Sequence, residues 1–281
     1  MLVQSLADCV YKRSQQKGAY PETFLVFQSY SFGATALALV LALDVFRGDW
    51  TAWKYGPLCG LVGFVAYFCF LSSLKGGQAS VNTMIFRLSF VLTAVLAVVF
   101  LGEPVTTLKL AGLCAAALAV LALTVFPGVT QTRAYAACDG ASGGARTRSI
   151  ALALAAMLLL GLLSFFYKLA ARDGVPAPAL IFIQFAFFSP TAMIYAGLRR
   201  RFVWHPVSAG HGLGAGVLLS GALILLVFAL TDGDAGIVVP INQMSFVLVA
   251  TLAVPWFGEA WTRWKTLAVL LAAAAVVLLA S

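Results

Sequence analysis

Long apolar runs recur along almost the whole chain and restrict its fold more than any other feature of the sequence. Of its 281 residues, 62% are hydrophobic and only 10% are charged, which is too few polar residues to cover a soluble domain. Many of these runs are long enough to cross a bilayer. In lipid the backbone must satisfy its own hydrogen bonds, so the runs form helices or a closed barrel. Within these runs polar and apolar residues do not alternate, which excludes the pattern of a membrane β-barrel. The sequence therefore predicts an all-α polytopic membrane protein.

The charged residues and the cysteines indicate neither a nucleic-acid partner nor a metal or cofactor site. A net charge of +8 fits basic loop residues that orient membrane helices. The five cysteines include no C-x-x-C pair, and four of them lie in apolar text, where cysteine behaves as a small hydrophobe. We therefore expect no disulfide framework, no metal and no cofactor. The first residues also lack the pattern of a removed signal peptide.

The second half of the chain repeats the first at a constant offset of 156 positions. The repeat extends without a gap over the whole first half, which indicates a duplicated and fused unit. Matching positions include Tyr11 and Tyr167, Lys12 and Lys168, Gln28 and Gln184, Ser89 and Ser245, Glu103 and Glu259, and Lys109 and Lys265.

Gly, Pro and charged residues divide each half into five apolar segments. We expect ten transmembrane helices, at 1–16, 21–43, 55–74, 79–101 and 106–126, and at 150–171, 177–198, 212–231, 235–257 and 262–280. The stretch 127–149 is rich in Gly, Ala, Ser and Thr and is predicted to be a flexible linker. The domains are then two five-helix repeats, 1–126 and 150–281. The first helix is expected to be short, because Met1 pairs with Met157 inside the second repeat.

The odd number of spans in each repeat determines how the two repeats are related. After five crossings the second repeat enters the membrane from the side opposite to the first. The sequence therefore predicts inverted-topology repeats, an architecture of many secondary transporters, in which two halves enclose a central site.

The chain also resembles a known family. Each repeat carries Gly-Glu after its fourth helix, in "LSFVLTAVLAVVFLGEPVTTLKLAGLCAAALAVLAL" at 88–123 and "VVPINQMSFVLVATLAVPWFGEAWTRWKTLAVLLAAAAVVLLA" at 238–280. With "KLA" at 168–170 near the end of the sixth helix, this resembles the EamA-type transporters of the drug/metabolite transporter superfamily. The resemblance implies a ten-helix protein that exports or exchanges small metabolites. Relatives often carry Arg in the second helix, where this chain has Gln28 and Gln184.

Polar residues kept inside the spans are the candidates for a substrate pathway. Arg87 lies near the middle of "ASVNTMIFRLSFVLTAVLAVVF", and a central charge that faces lipid costs several kcal/mol, so it should face a cavity or a partner. Its repeat mate is Gln243. The predicted pathway residues are Tyr11, Gln28, Asn82, Arg87, Ser89, Tyr167, Gln184, Asn242, Gln243 and Ser245.

Three groups of charged residues leave alternatives open. Arg87 either faces a cavity or pairs with Asp8, and both can hold at once. Lys12 and Lys168 either extend towards the membrane surface or contact the substrate, and together with Asp8 they are candidates for coupling or an ion pair. The Glu residues of the two Gly-Glu corners, Glu103 and Glu259, either cap helix N-termini or couple transport to protons.

The leading hypothesis is a secondary transporter of a small polar or amphipathic metabolite, such as an amino acid or organic anion. The alternative is a non-transporting or enzymatic integral membrane protein, but the spans show no nucleophile–base pair and no clustered metal ligands. We expect no enzymatic activity, partners limited to a small-molecule substrate and the lipid bilayer, and a monomer or homodimer in a bacterial inner (plasma) membrane. The resemblance implies cytoplasmic termini, whereas the loop charges favour the opposite orientation.

Overall fold

The structure is a computed structural model, and it describes residues 2–45, 50–76, 82, 85–124, 143–198, 204–245, 247–248, 251–252, 256, 261 and 263–280. The described part contains α-helices and connecting turns but no strand. The all-helical prediction is therefore confirmed. Most of the predicted linker and the second Gly-Glu corner with Glu259 lie outside the described residues, as does the side chain of Lys12.

Within the described residues, ten helices lie in the predicted apolar segments. They are α1 (Leu2–Gln16), α2 (Pro21–Ala42), α3 (Ala52–Gly76), α4 (Ser89–Leu101), α5 (Thr107–Thr124), α6 (Gly143–Arg172), α7 (Ala177–Leu198), α8 (Pro206–Asp232), α9 (Ala235–Gln243) and α10 (Arg263–Ala280). Three helices, α3, α6 and α8, begin earlier than expected. α6 begins inside the predicted linker, and α8 begins at Pro206, with the ring of His205 accepting a hydrogen bond from the Ser208 amide at its N-terminus.

Among the described residues, five segments are long and apolar enough to cross a membrane by themselves. They are Glu22–Ala42, Ala52–Ser73, Thr147–Arg172, Ala177–Leu198 and Pro206–Asp232. Ile85–Leu101 and Thr107–Ala122 are apolar but shorter. These segments support the prediction of an integral membrane protein.

The fourth and ninth predicted spans differ from expectation, because each is interrupted. A turn at Leu88 precedes α4, and a turn at Met244 ends α9. These two positions are equivalent in the repeats, being 156 positions apart. A continuous apolar pattern therefore conceals a local 3₁₀-type turn at the same place in both halves.

The helices form two compact units, and each unit draws on both sequence repeats. Unit 1 consists of Met1–Phe64 and Phe166–Gly233, and unit 2 of Val65–Phe165 and Asp234–Ser281. Helices α3 and α6 contribute residues to both units. The compact units thus cut across the repeats that the sequence defines.

In unit 1, α2 packs against α7 and α8. Ser29 of α2 hydrogen-bonds to Ser189 of α7, and Gly33, four residues later on α2, lies against the ring of Phe185, four residues earlier on α7. The second helices of the two repeats are therefore antiparallel. The two contacts are also reciprocal under the 156-position offset, which is the pattern of a two-fold axis.

In unit 2, α5 packs against α10 and α4 packs against α9. The α5–α10 contact joins the fifth helices of the two repeats, and its close approach occurs at Gly112, where an added Cβ would lie 2.7 Å from the Leu279 side chain. Because both helices consist largely of Ala, Leu and Val, they form an apolar pair, while polar residues concentrate near α4 and α9.

Candidate substrate site

The two interruptions have the same backbone geometry. Leu88 has φ −70° and ψ 1°, and Met244 has φ −66° and ψ −2°. The Leu88 amide donates to the Ile85 carbonyl at 3.2 Å, and the equivalent Met244 amide donates to the Ile241 and Pro240 carbonyls, both at 3.1 Å. The i to i−3 bonds are those of a 3₁₀-type turn, while the bond to Pro240 is an α-helical i to i−4 bond. A 3₁₀ turn within a helix often marks a functional hinge.

Polar side chains from both turns meet within unit 2. Arg87 Nη1 donates to Gln243 Oε1 at 3.1 Å and to Ser245 Oγ at 3.4 Å, while Gln243 Nε2 donates to Ser89 Oγ at 3.3 Å. Arg87 to Ser245 and Gln243 to Ser89 are the same contact under the repeat offset. Because the mates Arg87 and Gln243 touch each other, the internal two-fold axis of this unit passes between them.

The two asparagines predicted to join this group behave differently. Asn82 is 1% exposed, and its Nδ2 donates to the Ser73 carbonyl and to Ser149 Oγ, both at 2.7 Å. Ser149 Oγ also donates to the Ser73 carbonyl, so these three residues form a closed buried network that joins α3 and α6. Asn242 is half-buried one residue before Gln243. Asn82 is thus bonded away from the turn, and its role in a substrate pathway stays a prediction.

The predicted tyrosines and glutamines form two equivalent pairs in unit 1. Tyr11 Oη donates to Gln28 Oε1 at 2.6 Å, and Tyr167 Oη donates to Gln184 Oε1 at 2.8 Å. Both glutamines are 3% exposed. Each pair joins the first and second helices of its repeat, as hydrogen-bonded polar groups often do between membrane helices. Assignment of these residues to a substrate pathway stays a prediction.

The charged residues suggested for coupling also lie in unit 1. Asp8 Oδ1 accepts a hydrogen bond from Gln4 Nε2 at 3.3 Å. Lys168 Nζ donates to the carbonyls of Leu230 and Gly233 at 3.0 and 2.8 Å. These carbonyls end α8, and a cation there complements the negative end of the helix dipole. The contacts of Lys168 are thus those of a helix C-cap.

Glu103, which belongs to the first Gly-Glu corner, caps α9, a helix of the other repeat. Its Oε1 accepts a hydrogen bond from the Ala235 amide at 2.7 Å and its Oε2 one from the Gly236 amide at 3.0 Å. Lys109 Nζ lies 3.0 Å from Glu103 Oε2 and 3.4 Å from Asp234 Oδ2. The sequence predicted a helix cap as one of two roles for Glu103. The Glu103–Ala235 contact spans 132 positions, and no local pattern signals it.

A second charged contact that the sequence did not reveal lies in unit 1, next to the turn after α6. Asp173 Oδ2 accepts hydrogen bonds from Lys54 Nζ at 2.7 Å and from Tyr55 Oη at 2.5 Å. The hydrogen bond from Lys54, followed by that from Tyr55, lowers the pKa of Asp173 below its ordinary value. The side chains of Lys54 and Asp173 are 65% and 37% exposed, so the contact is screened by water.

Comparisons with known proteins agree with this geometry. The model of the EamA-like transporter family matches residues 5–125 and 147–281, so the resemblance inferred from the Gly-Glu corners is confirmed. A solved crystal structure of a protein aligns with a TM-score of 0.79 and 20% sequence identity, covering 99% of this chain and 92% of that chain. At that identity the likeness concerns the fold alone. None of the curated proteins matches the sequence.

Proposed function

The chain belongs to the EamA-like transporter family, and from this premise we propose that it is a secondary transporter of a small polar or amphipathic metabolite. Membership makes it a membrane transporter of the drug/metabolite type, while its substrate and mechanism are our proposal. The transporter exports or exchanges an amino acid or an organic anion. It works by alternating access between two inverted five-helix repeats with ten spans in total. A helical rather than barrel architecture suits a bacterial inner (plasma) membrane.

Inversion of the repeats is supported by helix directions inside unit 1. Equivalent helices of the two repeats, α2 and α7, run antiparallel where Ser29 meets Ser189. Helices that are not equivalent run parallel: α3 meets α7 from Gly56 to Gly60, and α8 meets α2 from Gly212 to Gly216. This alternation is what a five-span unit and its inverted copy would produce.

The observation that carries the proposal is the pair of equivalent 3₁₀-type turns. Arg87 and Gln243 each precede a 3₁₀-type turn, at Leu88 and Met244, and their side chains hydrogen-bond to each other. Transporters with inverted repeats commonly bind their substrate where helices of both repeats are interrupted near the bilayer midplane. The turns and their polar side chains are therefore the proposed substrate site.

The substrate class follows from how the repeats differ at this position. Arg87 brings a positive charge that its mate Gln243 lacks, and a guanidinium can hold a carboxylate or phosphate with paired hydrogen bonds. Low-dielectric surroundings strengthen such an attraction. We therefore place amino acids and organic acids ahead of cationic drugs. A site whose charge is balanced by Asp8 would instead take a neutral metabolite, and the flux assay distinguishes the two.

The test is flux into proteoliposomes that contain the purified full-length protein. A thermal-shift screen of amino acids, organic acids, sugars and quaternary amines selects the compounds, and uptake of each radiolabelled compound is then measured. We expect saturable uptake of a carboxylate, accelerated by unlabelled carboxylate inside if the protein is an exchanger. Saturable uptake of only neutral or cationic compounds would overturn the substrate class. Uptake no faster than in protein-free liposomes for all compounds would overturn transport itself.

A further inference from the structure

Helix α9 depends on tertiary contacts for its position. It has nine residues, Ala235–Gln243, and ends at the turn of Met244. So short a helix is marginal by itself, because nucleation is costly and few bonds follow. Its N-cap residue, Asp234, makes no side-chain capping bond. Two of the amides exposed at its start are bonded by Glu103 instead.

The side chains of Glu103 and Lys109 pack tightly against the start of α9. The side chains of Glu103 and Lys109 are each 5% exposed, and both lie over Gly236. A Cβ at Gly236 would lie 2.5 Å from Lys109 Cε and 3.2 Å from Glu103 Oε2. Only glycine lets the helix approach the ion pair this closely, so the pair and the helix start fit one another.

The other end of α9 carries Gln243, which contacts both members of the opposite turn. Its side chain accepts from Arg87 and donates to Ser89. Over nine residues a helix is about 13 Å long, and Pro240 lies inside α9, where it removes one backbone hydrogen bond. The start of α9 is still only two turns from Gln243, so a displacement at the start changes where Gln243 meets Arg87.

We propose that Glu103 and Lys109 are positioning residues for the substrate site. By holding the first turn of α9, their ion pair sets the contact of Gln243 with Arg87 and Ser89. The inference rests on the proposed function for its meaning in transport. Its physical content is a coupling between the two ends of α9, which can be measured without any substrate.

Hydrogen–deuterium exchange of the full-length protein in detergent, read by mass spectrometry, tests this coupling. In Glu103→Ala, we expect peptides covering 235–248 to exchange about 5- to 30-fold faster, the change that loss of a helix cap produces. We also expect faster exchange at 85–91, because the opposite turn loses its fixed partner. Peptides covering α10 should not change. Lys109→Met should act in the same direction, and Lys109→Arg should restore the original rates.

The matched control is Glu22→Ala, which removes a carboxylate from the first turn of α2 in unit 1 and should leave 85–91 and 235–248 unchanged. Gly236→Ala is a second variant that displaces Lys109 without removing a charge, and it serves if Glu103→Ala fails to fold. Faster exchange confined to the first turn of α9, with 85–91 unaffected, would overturn the proposal, as would equal acceleration throughout unit 2. Because no flux is involved, failure here and failure of transport remain distinguishable.

Discussion

Arg87 and Gln243 occupy equivalent positions in the two repeats but differ in charge. Their side chains bond to each other beside an internal two-fold axis, so they are the point at which near-symmetric halves present different chemistry. A duplicated unit alone would give two identical residues at this position. Arg87 carries a formal charge and Gln243 does not, so the two turns of the proposed site differ in charge.

Replacing Arg87 by the residue of its mate, Arg87→Gln, should preserve the fold and weaken anion transport. An amide can still bond to Gln243 and Ser245, but it loses charge-assisted bonds, so we expect uptake of a carboxylate to fall by about tenfold or more. The measurement is initial uptake in proteoliposomes, with melting temperature as the check on folding. Arg148→Gln, which changes an exposed residue of α6, should leave uptake unaltered. Equal uptake by Arg87→Gln and wild type would remove Arg87 from the site.

Asp173 should make stability depend on pH in the acid range. Its folded-state pKa is depressed by Lys54 and Tyr55, so its contribution is complete above the ordinary value of 3.8 and is lost as pH falls further towards the folded value. At neutral pH we expect wild type to have a higher melting temperature than Asp173→Asn. The difference between the two melting temperatures should become smaller below about pH 4. A gap between wild type and Asp173→Asn that stays constant with pH would contradict the prediction.

At the scale of elements, unit 1 depends on glycines that let helices touch backbone to backbone. Gly56 and Gly60 on α3 and their mates Gly212 and Gly216 on α8 have the G-x-x-x-G spacing that permits close approach of membrane helices. A Cβ at Gly60 would lie 2.6 Å from the Gln184 carbonyl oxygen, and one at Gly216 would meet that of Gln28. The same packing device therefore operates twice, once for each repeat.

Two neighbouring glycines of α8 should respond oppositely to alanine. In Gly216→Ala the new Cβ meets the backbone at Gln28 and Phe32, which cannot rotate away, so we expect a loss of about 1–3 kcal/mol of stability. In Gly214→Ala nothing lies within 4 Å, and alanine should be neutral or stabilise the helix by up to about 1 kcal/mol. Melting temperatures in detergent compare them. A Gly216→Ala variant as stable as Gly214→Ala would refute the packing argument.

At the scale of the whole molecule, the proposed inversion of the repeats has a consequence that does not depend on absolute orientation. The starts of α3 and α8 are repeat equivalents, and each is preceded by an exposed tryptophan, Trp50 and Trp204. In inverted repeats these two positions must lie on opposite sides of the membrane. Parallel repeats would put them on the same side.

Labelling of single cysteines in intact cells measures this arrangement. In a cysteine-free background, we expect a membrane-impermeant maleimide to label only one of Trp50→Cys and Trp204→Cys. Cytoplasmic termini, as the family resemblance implies, predict labelling at 204, whereas labelling only at 50 would reverse the orientation and agree with the basic loops. Permeabilised cells, in which both should react, provide the control. Labelling of both positions in intact cells would reject inverted topology.

The sequence by itself determined the helices, the repeat and the family, since hydropathy and identity at a fixed offset are properties of the chain alone. The bounds of α2, α7 and α10 lie within a residue or two of prediction, because apolar length and flanking breakers are local signals. Pro240 and the polar residues around Arg87 and Gln243 were clues to the interrupted helices, but an apolar run does not show that its backbone is broken.

Only the tertiary structure decided which partner each polar side chain takes. Asn82 hydrogen-bonds to Ser73 and Ser149 rather than to the residues at the Leu88 turn. Glu103 caps a helix 132 positions away. A buried polar group must find a hydrogen-bond partner, yet many side chains in this chain could have served. The choice among them depends on how close the helices pack, and that is set by contacts between segments distant in sequence.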